Sequence, residues 1–209
     1  MTAISLNPAV VADRALLWHW LAEVFLTPPS AERLSALREG AGAKWLAALA
    51  AEPAFAEALT EIRAALASPL DAARLQTRLT IAFNGLFLGL GGKHTLAPNE
   101  SAWTHGGRLF QAPVTEMSAL LSACDLSLAQ GCCEAPDHLS VELMLLAHLE
   151  AHADPRAEAL QARLRLWLPG FCAAVRAEDR TGFWAGAAAL LLAALDHATL
   201  IPQPEERTV

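Results

Sequence analysis

Leu16, Leu17, Trp20, Leu21, Val24 and Phe25 recur at three- and four-residue steps, the spacing that lines up apolar side chains on one face of a helix. Asn7 followed by Pro8 supplies a cap and a first-turn proline, so that helix is predicted to begin there and to run to about Leu26. Thr27-Pro28-Pro29-Ser30 stops it, and Ser30 caps the next segment. This segment is broken at Gly40-Ala41-Gly42 and resumes to about Ala51. Pro53 and Ser68-Pro69 open two further helices, the second reaching Phe87-Leu88.

The pattern then changes. Gly89 to Gly107 reads GLGGKHTLAPNESAWTHGG, glycine-rich and almost without periodic apolar positions, and a loop of that length inside a domain points to a functional role. Helical spacing returns at Pro113, and Asp125 to Ala135 reads as a connection. Asp137 is expected to open a helix that ends at Asp154-Pro155, where the next one starts; Pro169 should kink that one. A last helix is predicted from about Thr181 to His197, ahead of a polar tail, Pro202 to Val209. The sum is about eight helices in a single all-α globular bundle. Within it lie N-terminal helices (1–88), a hinge loop (89–107), motif-bearing helices (108–201) and the tail (202–209).

Composition supports that class. Apolar residues make up 54% of the 209 positions and charged residues 18%. Alanine and leucine, both strong helix formers, account for much of the excess, while tyrosine is absent. A net charge of −7 with no clustered Lys and Arg excludes a nucleic-acid backbone as the main partner. The N-terminus shows no basic stretch leading into an apolar export signal. The uncharged run Phe183 to Leu195 is shorter than the roughly 20 residues needed to span a bilayer, so no stable membrane insertion is expected. Cys124, Cys132, Cys133 and Cys172 do not form a disulfide framework, which fits reduced thiols in the cytoplasm.

The chemistry concentrates in EAPDHLSVELMLLAHL, Glu134 to Leu149. Asp137 stands where an N-cap belongs, able to accept from the Ser140 N–H, with Pro136 fixing the approach of the chain. His138 and Glu142 are four apart and share a helix face. Glu142 also lies on the stripe of Leu139 and Leu146, where a buried carboxylate needs a partner. A His–Glu pair there serves either as a polar staple or as an acid/base couple, with no nucleophile in evidence beside it. His148 and His152 have zinc-like i, i+4 spacing, which leaves a small metal-dependent hydrolase as one alternative. Yet HLEAH carries its glutamate one place late, and the adjacent pair Cys132-Cys133 is poor ligand spacing. A purely structural helical adaptor is the other alternative. The glycine-rich loop lacks the phosphate-cradle motif, and no cofactor is expected. Phe83, Phe87 and Trp103 flank that loop, as walls of an apolar groove or as ordinary core.

Glu134-Ala-Pro-Asp-His-Leu-Ser-Val-Glu-Leu143 resembles the E-x-P-D-H-[IL]-x-x-E-L signature of the TorD/DmsD/NarJ family of redox-enzyme maturation chaperones. Phe83-x-x-Leu86-Phe87-Leu88-Gly89, followed by Pro98-Asn99-Glu100-Ser101-Ala102-Trp103, is similar to that family's hinge region. Trp167-Leu168-Pro169-x-Phe171 with Gly182-Phe183-Trp184 resembles its C-terminal pattern. The resemblance implies an all-helical binding protein and not an enzyme. Its partner would be the molybdenum-cofactor-containing catalytic subunit of an oxidoreductase, together with a twin-arginine leader. Export would be delayed until the cofactor is inserted. It implies a peptide-binding set of Pro136, Asp137, His138 and Glu142, with Phe83, Phe87, Pro98 and Trp103 in the groove. Asp137 would accept from a leader arginine while capping its own helix. Monomers and domain-swapped dimers are both compatible with the family.

Overall fold

The structure, a computed structural model, describes residues 8–90 and 95–198. Among them are ten α-helices: α1 (Pro8–Leu26), α2 (Ala31–Glu39), α3 (Ala41–Leu49), α4 (Ala56–Leu66) and α5 (Ala72–Phe87), then α6 (Glu100–Thr104), α7 (Ala112–Ala123), α8 (Leu139–Ala151), α9 (Arg156–Glu178) and α10 (Phe183–Ala198). A 3₁₀ turn at Pro53–Phe55 leads into α4. The described residues contain no strand, only one isolated bridge, so the all-α class holds.

α8 is the axis. Leu139, Leu143, Leu145, Leu146 and Leu149 are all buried, spread over more than half of the helix circumference, and only the side that carries Met144 and Ala151 is exposed. α1 supplies its most extensive partner, setting Leu17, Trp18, Leu21 and Phe25 into the core, and α9 packs beside it. α10 lies against α4 and α9. The crossing with α4 is close because of Gly186: a Cβ there would lie 2.7 Å from Ile62 Cγ1 and 3.0 Å from the Ala58 carbonyl oxygen. Trp184 is fully buried and donates its indole N–H to the Val24 carbonyl at 3.1 Å, pinning α10 to α1.

Local signals explain most of the boundaries. Ser30 caps α2 by accepting from the Arg33 N–H, and α2 gives way to α3 at Gly40. Two expected starts are displaced. Ser68-Pro69 does not open a helix; α5 begins at Ala72 under an Asp71 cap that accepts from the Arg74 N–H at 2.8 Å. The Arg38 guanidinium donates to the carbonyls of Leu66, Ser68 and Leu70 at 2.7, 3.1 and 2.8 Å, which satisfies that turn without helical bonds. α10 starts at Phe183 and not Thr181, because Asp179 accepts from the Trp184 and Ala185 N–H groups, both at 2.9 Å. Pro169 sits inside α9, which is assigned without interruption. The stretch expected as a hinge loop holds α6, together with buried Leu96, Pro98, Glu100 and Ser101. The Asn7 cap, the centre of that stretch (91–94) and the polar tail lie outside the described residues. No described helix is long and apolar enough to cross a membrane.

Candidate functional site

Two segments distant in sequence meet just before α6 and α8. Asn99 and His138 form an antiparallel bridge, flanked by hydrogen bonds from the Glu100 N–H to the Asp137 carbonyl (3.0 Å) and from the Leu139 N–H to the Pro98 carbonyl (2.7 Å). The backbone of the P-N-E-S segment is thereby fixed against the backbone of the P-D-H segment.

Asp137 completes the join, in a different way from the one its position suggests. It does not cap α8. Its carboxylate is fully buried and accepts from the backbone N–H of Ser101 (3.0 Å) and from the Ser101 hydroxyl, with the Asn99 amide at 3.5 Å from the other oxygen. It therefore caps α6, whose free N–H groups would otherwise be orphans. The Ser101 oxygen in turn accepts from the Gln111 N–H at 3.2 Å, which carries the connection to α7.

The cap of α8 is His138. Its Nδ1 accepts from the Ser140 N–H at 3.2 Å and lies 2.7 Å from the Ser140 hydroxyl. An accepting Nδ1 puts the ring proton on Nε2, 3.6 Å from a Glu134 carboxylate oxygen. Burial lowers the His138 pKa to about 4, against the opposing pull of Asp137, so the ring is neutral at pH 7. The expected pairing of His138 with Glu142 is not formed; Ser140 and Glu134 are its partners.

Glu142 is fully buried and receives no hydrogen bond from a backbone or side-chain N–H or hydroxyl; its carboxyl shares a hydrogen bond with that of Glu100. Burial above all, with adjacent Glu100 adding to it, pushes its pKa well above the usual carboxylate range. The nearest cation is Arg163 of α9, whose guanidinium donates to Glu100 (2.6 Å) and to Glu116 of α7 (2.7 Å). A second polar tie holds α1 to α8 and α9: Glu150 accepts two bonds from Arg14, at 3.1 and 2.7 Å, and one each from Trp18 (2.8 Å) and Gln161 (2.7 Å).

The candidate residues thus separate into layers. Phe83 and Phe87 are buried in an aromatic cluster with Phe25, Phe171 and Trp184, at centroid distances from 5.1 to 6.2 Å. Trp103 is partly exposed, packs edge-on to Phe171 and donates to the Ala97 carbonyl at 2.9 Å. Pro98 is buried beneath the bridge, and Pro136 is partly exposed beside it. His148 and His152 touch ring to ring at 4.2 Å, but no group of three or more metal-ligating side chains forms among the described residues. Sequence reasoning did not single out Ser101, Arg163 or Glu150. The available signals were Ser101 at the start of a helix and Arg163 four places before Trp167, at the edge of an apolar stripe.

Comparison with known proteins places these residues in a family. The family model for the nitrate reductase delta subunit matches residues 49–173, a span that contains the whole bridge and Arg163. The TorD chaperone of Vibrio cholerae is 30% identical over 193 residues, 86% of this chain and 87% of its own. That of Escherichia coli O157:H7 is 30% identical over 85% and 90%, and that of Salmonella arizonae 29% identical over 90% of each. In fold, the chain is similar to a crystal structure of a candidate redox enzyme maturation protein from Archaeoglobus fulgidus, with a TM-score of 0.55 at 21% identity, over 86% of this chain and 92% of that one.

Proposed function

This chain belongs to the nitrate reductase delta subunit family and is similar to TorD chaperones over most of its length, and on that premise we propose that it is the dedicated maturation chaperone of one molybdenum-cofactor-containing oxidoreductase. Its role is to hold the apo catalytic subunit, the twin-arginine leader of that subunit, or both, in the cytoplasm until the cofactor is in place. The relatives it matches are chaperones and not enzymes.

One observation carries the reading: likeness to TorD chaperones extends over nearly the whole of both chains. The geometry gives it physical support. Pro136 and Trp103 are partly exposed and are the residues we assign to direct contact with the bound polypeptide. Pro98, Asp137, His138, Glu142, Phe83 and Phe87 lie beneath and set the shape of that surface. A net charge of −7 favours a basic segment.

The test is co-expression of the tagged chain with a molybdoenzyme catalytic subunit encoded beside it. Retention of that subunit with its leader intact, and a fall in its molybdenum content when the chain is deleted, is the expected result. A catalytic subunit that is never retained and fills normally without the chain would sink the proposal.

A further inference from the structure

Three of the six tryptophans hand their indole N–H to an acceptor: Trp18 to the Glu150 carboxylate, Trp103 to the Ala97 carbonyl and Trp184 to the Val24 carbonyl. Trp45 and Trp167 keep theirs sealed inside the protein with no partner. Trp20 belongs to neither group. It is only 7% exposed, yet its N–H has no acceptor and is not sealed.

Trp20 lines a concave cavity of about 420 Å³ between α1, α2 and the start of α10. The inner wall is apolar, with Trp20, Val24, Leu37 and Phe183 all buried. Leu26, 43% exposed, and half-buried Pro28 stand on its outer side. Edge-on packing against Trp45 at 5.6 Å and Phe183 at 6.5 Å holds the indole in place, so its N–H cannot swing to an acceptor elsewhere. The charged side chains on the wall, Arg33 and Glu23, are 54% and 48% exposed and pair with each other.

The wall therefore combines apolar surface, an indole donor without an acceptor, and no net charge. A charged ligand would have to break the Glu23–Arg33 pair to find a counter-ion. A hydrocarbon would displace water from the Trp20 N–H and leave it bare, which is costly. A carbonyl oxygen accepts a hydrogen bond without bringing charge, and so meets both conditions. The volume lies within the roughly 300–1,000 Å³ usual for small-molecule pockets.

We propose that this cavity binds a small uncharged molecule with an apolar body and a carbonyl group, of the class of aryl ketones, aryl amides and quinones, and that the carbonyl accepts from Trp20. The inference stands apart from the polypeptide-holding role, since no residue of the Pro98–Asp137 bridge lines the cavity. Val24 connects the site to the rest of the fold: its carbonyl receives the Trp184 N–H that pins α10 to α1. A ligand seated on Val24 and Phe183 tightens that joint and raises the melting temperature.

The experiment follows the indole N–H resonances of the full chain by nitrogen–proton correlation NMR. The probes are acetophenone, ethylbenzene, which keeps the ring but lacks the acceptor, and benzoate, which carries a charge. Acetophenone should move the Trp20 indole proton downfield in a saturable way, leaving those of Trp18 and Trp103 in place. It should bind roughly tenfold more tightly than ethylbenzene, and more tightly than benzoate. In Trp20→Phe that advantage over ethylbenzene should vanish, as read from the rise in melting temperature with each probe. If Trp20→Phe does not fold, Leu26→Lys at the exposed edge replaces it and should abolish the shift that acetophenone causes at Trp20. An unmoved Trp20 resonance would overturn the proposal, as would equal binding of acetophenone and ethylbenzene to wild type or tighter binding of benzoate. So would a variant that answers acetophenone as wild type does.

Discussion

The aromatic cluster and the polar bridge are both buried, but they hold the protein in different ways. Phe25, Phe83, Phe87, Phe171 and Trp184 each touch at least two others of the set, edge-on or tilted, and no single contact decides the arrangement. Burying side chains of that size stabilises by about 1.5–3 kcal/mol each. The bridge is the reverse: Asp137 meets Ser101, His138 meets Ser140, and each group has few substitutes if its partner goes. The cluster supplies quantity. The bridge supplies selectivity, because an unpaired buried polar group penalises any other register of the two segments.

The contrast can be broken or sharpened by mutation. Phe171→Ala should have the largest effect, since the ring contacts Phe25, Phe87, Trp103 and Trp167. A loss of about 3–5 kcal/mol is expected, lowering the melting temperature by roughly 10 °C. A smaller loss than that of any bridge variant would overturn the division of labour drawn above.

His138 comes next, through pH. In the unfolded chain its imidazole titrates near 6.5, so as acid is added the unfolded state takes the proton first. Stability should fall between pH 6.5 and about 4 by roughly 3 kcal/mol and then level off as the folded ring also protonates. Urea unfolding across that range should show a flatter profile for His138→Gln; parallel profiles would mean that the ring is not held neutral. Asp137→Ala should cost about 2 kcal/mol at pH 7 by stranding the Ser101 donors, and Asp137→Asn less.

Glu142→Gln should have the smallest effect at pH 4, where acid and amide are both neutral. Because the folded pKa of Glu142 is raised, wild type loses stability relative to this variant as pH climbs above about 4.5, where the unfolded carboxyl ionises. Melting curves at pH 4 and 8 should coincide and then separate, with the variant the more stable. A less stable variant at pH 8 would show that the carboxyl is charged and paired.

The helices were legible because their signals are local: Ser30 and Phe87 bound their elements where apolar spacing and turn chemistry put them. The bridge was only half legible. Asp137 has the right residue type and position for a cap, but its actual partner, Ser101, lies 36 positions upstream, beyond the reach of any helical period. α6 escaped notice for the same reason. Five residues carry too little periodicity to register, and the helix is held by the Asp137 carboxylate and by Trp103 packing on Phe171. Arg38 shows the complementary case, overriding the start signal at Ser68-Pro69 by taking up its carbonyls from another helix.

The packing of α1 against α8 has a consequence in time. Trp18 donates to Glu150, 132 positions later, so the apolar face of the first helix leaves the ribosome long before its partner exists. At about 5–20 residues per second, that interval is roughly 7 to 26 seconds. For that period Leu17, Leu21 and Phe25 have no α8 to cover them, and the nascent chain exposes the kind of apolar helix that chaperones shield. By its order of synthesis, the protein passes through a stage in which it needs the service that it is proposed to give.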